Sequence, residues 1–314
     1  MRHSWGVPSV HVVSVINYKG GVGKTTLTAN VGAELAFRGR KVLLVDLDPQ
    51  ASLTFSLVTP DHWQKHLAPK KTIKRWYDSL ASGESLALSS LAFAPRNASW
   101  HIRDGGLLHL IPSHLGLINV DLELATELGG GSLKQSKLKY LRVHRRLSEG
   151  LEESAFADYD VILIDCPPNF NVVTKTAIVA SDHVLIPAKA DYLSTLGIDY
   201  LRRSLEDLVE SYNDFAGLEE GGVGDTIDPK ILGVVFTMTQ MYDGRPISAL
   251  RPYINQTRAL NVPVFDSVLR ENKTLFADAP RGGVPVVLNT SSAARGIVSE
   301  LEDLVSEFSA KLGL

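Results

Sequence analysis

Two lysines and two adjacent threonines lie in a glycine-rich stretch near the start of the chain. An apolar run at 10–16 precedes this stretch, and a segment with helical periodicity at 27–38 follows it. Glycines between a strand and a helix let backbone N–H groups approach an anion, and the helix N-terminus adds positive potential. Lys24 would then contact the β- and γ-phosphates, and Thr25 would ligate Mg²⁺. The predicted phosphate site consists of Lys19, Gly20, Gly21, Val22, Gly23, Lys24, Thr25 and Thr26.

This loop departs from the common phosphate-binding spacing. The pattern G-x-x-x-x-G-K-[ST] requires a glycine where this chain has Tyr18. An additional lysine, Lys19, stands at the start of the loop. We expect the second lysine, Lys24, to contact the bound phosphates. The additional lysine at position 19 indicates that the loop is not of the common phosphate-binding type.

Aspartates follow two further apolar runs that are typical of buried strands. Asp46 and Asp48 follow the run at 41–45 in the motif D-L-D-P-Q, and Asp165 ends the run at 161–164 and precedes Cys-Pro-Pro. In open parallel sheets, ligands bind at the carboxyl ends of the strands. Mg²⁺ keeps several waters and accepts one or two carboxylate contacts. The two acidic motifs therefore predict a magnesium site beside the glycine loop.

The remaining pattern alternates strands with helices. Such alternation predicts an α/β fold, a doubly wound and mainly parallel sheet with helices on both faces. We expect one domain over residues 1–314, with an elaboration at about 59–105. Strands are predicted at 10–16, 41–46, 107–111, 161–165, 183–186, 231–236 and 264–268. Helices are predicted at 27–38, 115–128, 133–153, 170–180, 194–213, 246–259 and 290–312.

Composition restricts the classes of protein. The chain has 314 residues, is 44% hydrophobic and 21% charged, and carries a net charge of −3. These values are ordinary for a soluble protein, and any nucleic-acid binding must use a local basic patch. The single cysteine, Cys166, excludes an internal disulfide or a cysteine metal cluster within one chain. No apolar stretch reaches the roughly 18 residues of a membrane span. A cytoplasmic location is expected.

The loop K-G-G-V-G-K-T-T resembles the deviant Walker A ATPases of the ParA/MinD family, a group of P-loop NTPases. The resemblance implies ATP and Mg²⁺ as cofactors and a sandwich homodimer in the ATP state. In that dimer Lys19 would reach the ATP of the other protomer. D-x-D-P-Q is the second signature of the family. It implies that Asp48 positions the attacking water and that Asp46 lies near the Mg²⁺ shell. Asp165 matches the Walker B aspartate, which holds Mg²⁺ through water.

The resemblance extends along most of the chain and implies where the base binds. Relatives hold adenine in the loops after their last two strands, which correspond here to Phe236-Thr237-Met238 and to the segment at 268–280. The adenine contacts expected on this basis are Met238, Arg270, Glu271 and Asn272.

Several branches of the family fit less well. A cluster-bridged iron protein needs two cysteines per chain, and Cys166 is alone. The MinD branch ends in a basic amphipathic helix that binds membrane, whereas the apolar stripe at 297–312 is accompanied by Glu300, Glu302, Asp303 and Glu307. We expect that helix to pack on the core. The resemblance therefore favours the ParA/Soj branch, whose ATP dimers bind DNA without sequence preference.

Basic residues that could track DNA phosphates occur in two places. One is the predicted helix at 133–153, which contains six cations, and the alternative interpretation is a solvated helix face. The other is implied by chromosomal relatives, in which basic residues after the last two strands contact DNA. The DNA contacts expected there are Arg245, Lys273, Arg251, Arg258 and Arg270, with Arg281 as a neighbour.

The function implied by the resemblance is partitioning of plasmid or chromosomal DNA on the nucleoid. A ParB-like partner protein would stimulate hydrolysis and release the dimer from DNA. The first predicted strand begins within about ten residues of Met1, so no N-terminal helix-turn-helix is expected. Two alternatives remain open: positioning of a protein cargo on the nucleoid, and a MinD-like regulator at the membrane, which the acidic final helix disfavours.

Overall fold

Six short apolar segments pair in parallel and form the central sheet. The computed structural model describes residues 10–102, 105–130, 132–217, 225–242 and 245–314. The strands are β1 (His11–Val15), β2 (Lys41–Asp46), β3 (Leu107–Ile111), β4 (Val161–Asp165), β5 (His183–Ala188) and β6 (Lys230–Phe236), with a small hairpin of β7 (Met241–Tyr242) and β8 (Arg245–Pro246). The order in the sheet is β3-β2-β4-β1-β5-β6. The predicted α/β fold with a parallel sheet is confirmed.

Helices connect these strands. They are α1 (Lys24–Phe37), α2 (Ser52–Leu57), α3 (Pro60–His62), α4 (Ile73–Ser82), α5 (Arg96–Ser99), α6 (Leu117–Glu127), α7 (Leu133–Leu151), α8 (Val172–Val179), α9 (Tyr192–Ala216), α10 (Arg251–Ala259), α11 (Lys273–Gly282) and α12 (Arg295–Leu312). Among the described residues, no helix is both long and apolar enough to cross a membrane.

The strands alternate their side chains between two hydrophobic cores. Val12 of β1 belongs to one core and Val13 to the other, because successive side chains of a strand point to opposite faces. The first core receives side chains from α4, α6, α7, α8 and α9. The second receives them from α1, α2 and α12. Helices therefore cover both faces of the sheet.

The register of the central strands aligns the residues that could do chemistry. Asp165 at the end of β4 lies opposite both Val15 of β1 and Asp46 of β2. The glycine loop follows β1, and Asp48 follows β2. The parallel pairing therefore brings the loop and both acidic motifs to the same edge of the sheet.

The segment at 264–268 is not a strand, contrary to the sequence prediction. It runs beside β6 and makes isolated backbone bonds, such as Phe265 N to Val234 O at 2.9 Å. The ladder is interrupted because Glu307 of α12 accepts the N–H groups of Asp266 and Ser267 at 3.0 and 2.9 Å. The helix predicted at 246–259 also begins later than expected, at Arg251.

The elaboration shares its buried side chains with the rest of the fold. Besides α3, α4 and α5 it contains a π-helical turn, Trp63–Leu67, and a 3₁₀ turn, Leu88–Leu91. Ile73 and Trp76 join the first core, and Leu67 and Ala98 join the second.

The final helix, α12, packs on the body of the molecule. The apolar stripe noticed in the sequence is buried along its whole length, which agrees with the expectation of a core-packed helix. Its members are Ile297, Leu301, Leu304, Val305, Phe308 and Leu312.

Candidate nucleotide-binding site

The glycine loop curls tightly between β1 and α1. Gly21 and Gly23 have φ angles of 67° and 82°, in the left-handed region that side chains disfavour. Gly23 immediately precedes α1, and no side chain caps this helix. The first turn of α1 also contains no acidic residue, so its positive end is not neutralised. The loop therefore presents uncapped N–H groups to an anion.

Lys24 lies inside the curl of the loop. Its Nζ donates to the carbonyl oxygens of Asn17 and Lys19 at 3.2 and 3.3 Å. Burial lowers the pKa of Lys24, while the carboxylates of Asp165 and Asp48 act in the opposite direction. The ammonium is thus held beside the cavity that the loop encloses, where a phosphate could replace its carbonyl partners.

Two residues outside the predicted site hold the loop in place. The side-chain amide of Asn17 donates to Pro187 O at 2.8 Å, and its oxygen accepts the N–H of Lys19 at 2.9 Å. Thr237 at the end of β6 donates its hydroxyl to Val22 O at 2.7 Å. Both side chains reach across neighbouring strand ends. The sequence signal for Asn17 is its place directly after an apolar run, whereas Thr237 belongs to the segment Phe236-Thr237-Met238 that the family resemblance already marked.

Thr25 and Asp165 meet at the predicted metal position. The Thr25 hydroxyl donates to Asp165 Oδ2 at 2.7 Å. Asp165 Oδ1 is buried and has no hydrogen-bond partner among the described residues. Burial raises the pKa of Asp165 well above its usual value, and the neighbouring Asp46 raises it further. A hydroxyl beside a carboxylate with a free oxygen is a donor set that suits Mg²⁺ and its bound waters.

Asp46 serves the turn that follows β2. Its Oδ2 accepts the N–H and the hydroxyl of Thr54 at 2.8 and 2.7 Å, and its Oδ1 accepts the N–H of Asp48 at 3.1 Å. Burial raises the pKa of this carboxyl to about 7. Asp46 lies beside Asp165 in the sheet, and neither carboxyl is among the described residues that line the cavity. Both oxygens of Asp46 are occupied by hydrogen bonds, and its expected place near the Mg²⁺ shell stays a prediction.

Asp48 lines the cavity together with Lys24, Thr25 and Thr26. Its Oδ1 accepts the N–H of Gln50 at 2.9 Å. The cavity has a volume of about 400 Å³ and is open to solvent. A partly exposed carboxylate at this place can contact a water next to a phosphate held by the loop.

The far end of the cavity is apolar. Met238, one of the predicted adenine contacts, lines it with a φ angle of 51°. Arg270, Glu271 and Asn272 are absent from the described lining; Arg270 pairs with Glu300, and Asn272 caps α11. These three base contacts therefore stay a prediction, and Met238 is the expected contact that lies at the cavity. Residues of α11 and the segment after it form that wall: Phe276, Ala279, Pro280, Val284, Pro285 and Val286.

Lys19 points away from the cavity. Its Nζ donates to both carboxylate oxygens of Asp191 at 3.0 and 2.8 Å and to the Ser194 hydroxyl at 3.2 Å. Asp191 also caps α9 by accepting the N–H of Ser194 at 2.8 Å. Within one chain, Lys19 therefore contacts the start of α9 and not the phosphate site.

The basic residues that were expected to contact DNA differ in whether they form an ion pair within the chain. Arg258 pairs with Asp266, Arg270 with Glu300, and Lys273, which is highly exposed, lies 3.5 Å from Glu271. Arg251 is exposed and has no acidic partner in the described part of the chain. The side chain of Arg245 lies outside the described residues.

The cations of α7 do not form one free surface. Arg146 pairs with Glu127 at 2.7 Å, Arg145 donates to the Tyr212 hydroxyl at 2.6 Å, and Lys139 donates to Gly129 O at 3.0 Å. These side chains hold α7 to its neighbours, which favours the structural interpretation of this basic helix.

Comparison with known proteins agrees with this geometry. The AAA_31 family, described as an AAA domain, matches residues 10–216. The chromosome-partitioning ATPase Soj of Treponema pallidum is 31% identical over 271 residues, which cover 86% of this chain and 87% of that protein. The ATP complex of a Cyanothece McdA variant has a TM-score of 0.69 at 22% identity and covers 98% of both chains.

A further solved structure contains the cofactors themselves. Cobyrinic acid a,c-diamide synthase from Mycobacterium smegmatis, with a bound ATP analogue and magnesium, has a TM-score of 0.59 at 28% identity. The match covers 87% of this chain and 91% of that chain. Because the family match spans the loop, the acidic strand ends and most of the sheet that aligns them, the chain belongs to the ParA/Soj-type P-loop ATPases of the ParA/MinD family, enzymes that use ATP and Mg²⁺.

Proposed function

We propose that ATP·Mg²⁺ joins two copies of this protein into a sandwich dimer that binds DNA without sequence preference. A ParB-like partner stimulates hydrolysis, which separates the dimer and releases it from the nucleoid in the cytoplasm. Repeated cycles partition plasmid or chromosomal DNA. In this proposal the chain acts as one ATPase domain. The name of the Treponema relative, a chromosome-partitioning ATPase, supports the assignment of the process.

The position of Lys19 carries the proposal. This lysine belongs to the phosphate loop, yet its ammonium lies at the start of α9 and outside the cavity. The cavity is open to solvent, so a second copy can supply a cation that the first does not provide. Exchange of the Asp191 contact for a phosphate of the partner's ATP makes nucleotide binding and dimerisation one event.

The arrangement around the phosphate supports hydrolysis in the dimer. Phosphoryl transfer requires positioned groups and neutralised charge more than covalent catalysis. In the proposal, Lys24 and Mg²⁺ at Thr25 and Asp165 neutralise the phosphates, and Asp48 orients the attacking water. Lys19 of the second copy adds the remaining positive charge.

The exposed cations near α10 and α11 are the proposed DNA contacts. Arg251 and Arg258 are seven residues apart on α10, so they lie on one face of that helix. Lys273 begins α11 and is largely exposed. Dimerisation would double this set of charges. Because phosphate contacts release counterions, such a surface binds DNA with an affinity that falls as salt rises.

Sedimentation with ATP·Mg²⁺ tests the dimer. The Asp48→Ala protein should sediment as a dimer, since it binds ATP without hydrolysing it. When Lys19→Gln is combined with Asp48→Ala, the protein should sediment as a monomer. Lys230→Gln is the matched control, because Lys230 also pairs with an aspartate, Asp228, but at the opposite edge of the sheet. A dimer that persists with Lys19→Gln, or is lost equally with Lys230→Gln, contradicts the proposed contact.

A further inference from the structure

The elaboration contacts Ser113, which follows β3 at the edge of the sheet where the glycine loop and the acidic motifs lie. Ser113 is fully buried, and all three of its polar groups are hydrogen-bonded. Its N–H donates to Thr54 Oγ1 at 2.9 Å, and its hydroxyl donates to Asp48 O at 2.7 Å. Its carbonyl accepts the indole N–H of Trp63 at 3.1 Å. One serine thus joins the elaboration to the segment that contains Asp48.

The backbone of Asp48 is held from both sides. Its N–H donates to Asp46 Oδ1 at 3.1 Å, and its carbonyl accepts the Ser113 hydroxyl and the N–H of Ala51. With both peptide groups fixed, the direction in which the Asp48 side chain leaves the backbone is fixed as well. Ala51 has a φ of 53°, which is unfavourable for a residue with a Cβ. Contacts from outside must therefore maintain this turn.

Trp63 supplies such contacts from the elaboration. Its ring packs edge-on against Phe55 of α2, with centroids 5.3 Å apart, and lies 5.4 Å from the ring of His114. Together with the indole hydrogen bond to Ser113, these contacts place Trp63 against both segments that border Asp48. The π-helical turn that carries Trp63 is rare in proteins and frequently occurs at functional sites.

We infer that Ser113 and Trp63 are positioning residues for hydrolysis. Ser113 fixes the peptide group of Asp48, and Trp63 fixes Ser113, so the elaboration sets the direction of the Asp48 carboxylate toward the attacking water. This inference rests on the role that the proposed function gives to Asp48. It assigns to residues 59–102 a task in the chemical step, beyond their packing in the cores.

Kinetics of Ser113→Ala and Trp63→Phe test the inference. Each variant removes one hydrogen bond of this chain, and each keeps most of the buried volume. We expect kcat for ATP hydrolysis with Mg²⁺ to fall about tenfold, because small misplacements of a catalytic group cost much rate. The dissociation constant for ATP should stay within about twofold, since neither residue lines the cavity in the described part of the chain.

Two matched substitutions separate positioning from general destabilisation. Ser79 of α4 is as fully buried as Ser113, and its hydroxyl also donates to a backbone carbonyl at 2.7 Å, that of Trp76. Ser79→Ala should leave kcat unchanged. Trp76 is a buried tryptophan of the same elaboration, and none of its hydrogen bonds within the described residues involves Ser113. Trp76→Phe should therefore also leave kcat unchanged. Thermal unfolding of all four variants shows how much stability each loses.

The outcomes distinguish this inference from the proposed function. If Asp48→Ala is inactive while Ser113→Ala and Trp63→Phe turn over no more slowly than their controls, the inference is wrong and the role of Asp48 stands. A loss of ATP affinity with unchanged kcat overturns it as well. If Asp48→Ala hydrolyses ATP normally, the role of Asp48 fails, and the inference fails with it. If Ser113→Ala does not fold, Trp63→Phe alone decides.

Discussion

Two aspartates that end neighbouring strands have different surroundings. Asp165 keeps one oxygen without a partner among the described residues and receives the Thr25 hydroxyl on the other. Asp46 uses both of its oxygens to hold Thr54 and Asp48. The sequence motifs imply that both lie near Mg²⁺. Asp46 therefore supports the turn, and we propose Asp165 as the aspartate that holds Mg²⁺.

Substitution of the two aspartates should therefore have different effects. Asp165→Asn should weaken Mg²⁺-dependent ATP binding about 10- to 100-fold, as loss of an outer-shell metal contact does, with little change in stability. Asp46→Ala should lower the free energy of unfolding by about 2 kcal/mol, because buried donors of Thr54 and Asp48 lose their acceptor. ATP titration with and without Mg²⁺, and urea unfolding without nucleotide, measure both effects. An Asp46→Ala protein of normal stability with weakened Mg²⁺ dependence would contradict this division.

At this scale, sequence reasoning found the residues whose role depends on local spacing. Lys24, Thr25 and Asp48 lie where the glycine loop and the D-x-D-P-Q motif predict them, at the cavity. Asn17 and Ser113 were missed as functional residues. Their hydrogen bonds connect segments more than 50 residues apart, and no short motif reports such contacts.

Among the elements, α7 buries a histidine against its neighbours. His144 is fully buried, and its Nδ1 lies 2.7 Å from the Tyr140 carbonyl, so that nitrogen carries the proton. Its Nε2 has no partner in the described part of the chain. Burial lowers the pKa of His144 to about 4 from a reference value of 6.5. The helix therefore packs with a neutral imidazole.

The packing of α7 should weaken in acid. Below pH 6.5 the unfolded chain binds a proton at this histidine that the folded protein excludes until about pH 4. The stabilising difference is thus complete above pH 6.5 and is lost as pH falls, by about 2 kcal/mol between pH 7 and pH 5. Urea unfolding at both pH values measures it. His144→Leu should remove this part of the pH dependence, and substitution of the exposed His101 by leucine should not. Equal pH dependence in both variants would contradict the assignment.

Element boundaries were predictable where the pattern is local. The strands followed short apolar runs, and the apolar stripe of α12 is buried as expected. The prediction of a strand at 264–268 was wrong. The apolar residues of this segment pack beside β6, but Glu307 accepts the N–H groups of Asp266 and Ser267. Helix α11 was not expected, because it contains Pro280 and its packing at the cavity wall depends on tertiary contacts, although Asn272 is a residue typical of a helix start.

At the scale of the whole molecule, the fold gathers one ATP site and leaves Lys19 outside it. With a net charge of −3, the proposed DNA binding must use a local surface, and the exposed cations of α10 and α11 are the candidates for it. One copy of the chain presents only a few of these charges to DNA. We expect DNA affinity to arise only when ATP pairs two such surfaces, so that hydrolysis ends the binding.

Affinity for random-sequence DNA, measured with ATP·Mg²⁺, with ADP and without nucleotide over a salt series, tests this proposal most directly. The Asp48→Ala protein keeps the ATP state constant during the measurement. Of the three nucleotide conditions, only ATP·Mg²⁺ should give tight binding. The logarithm of the association constant should then fall linearly with the logarithm of the salt concentration, with a slope of about −0.9 per phosphate neutralised. Arg251→Ala should reduce that slope by about one contact. Equal binding in all three nucleotide states, or no binding although the ATP dimer forms, would contradict the proposed function.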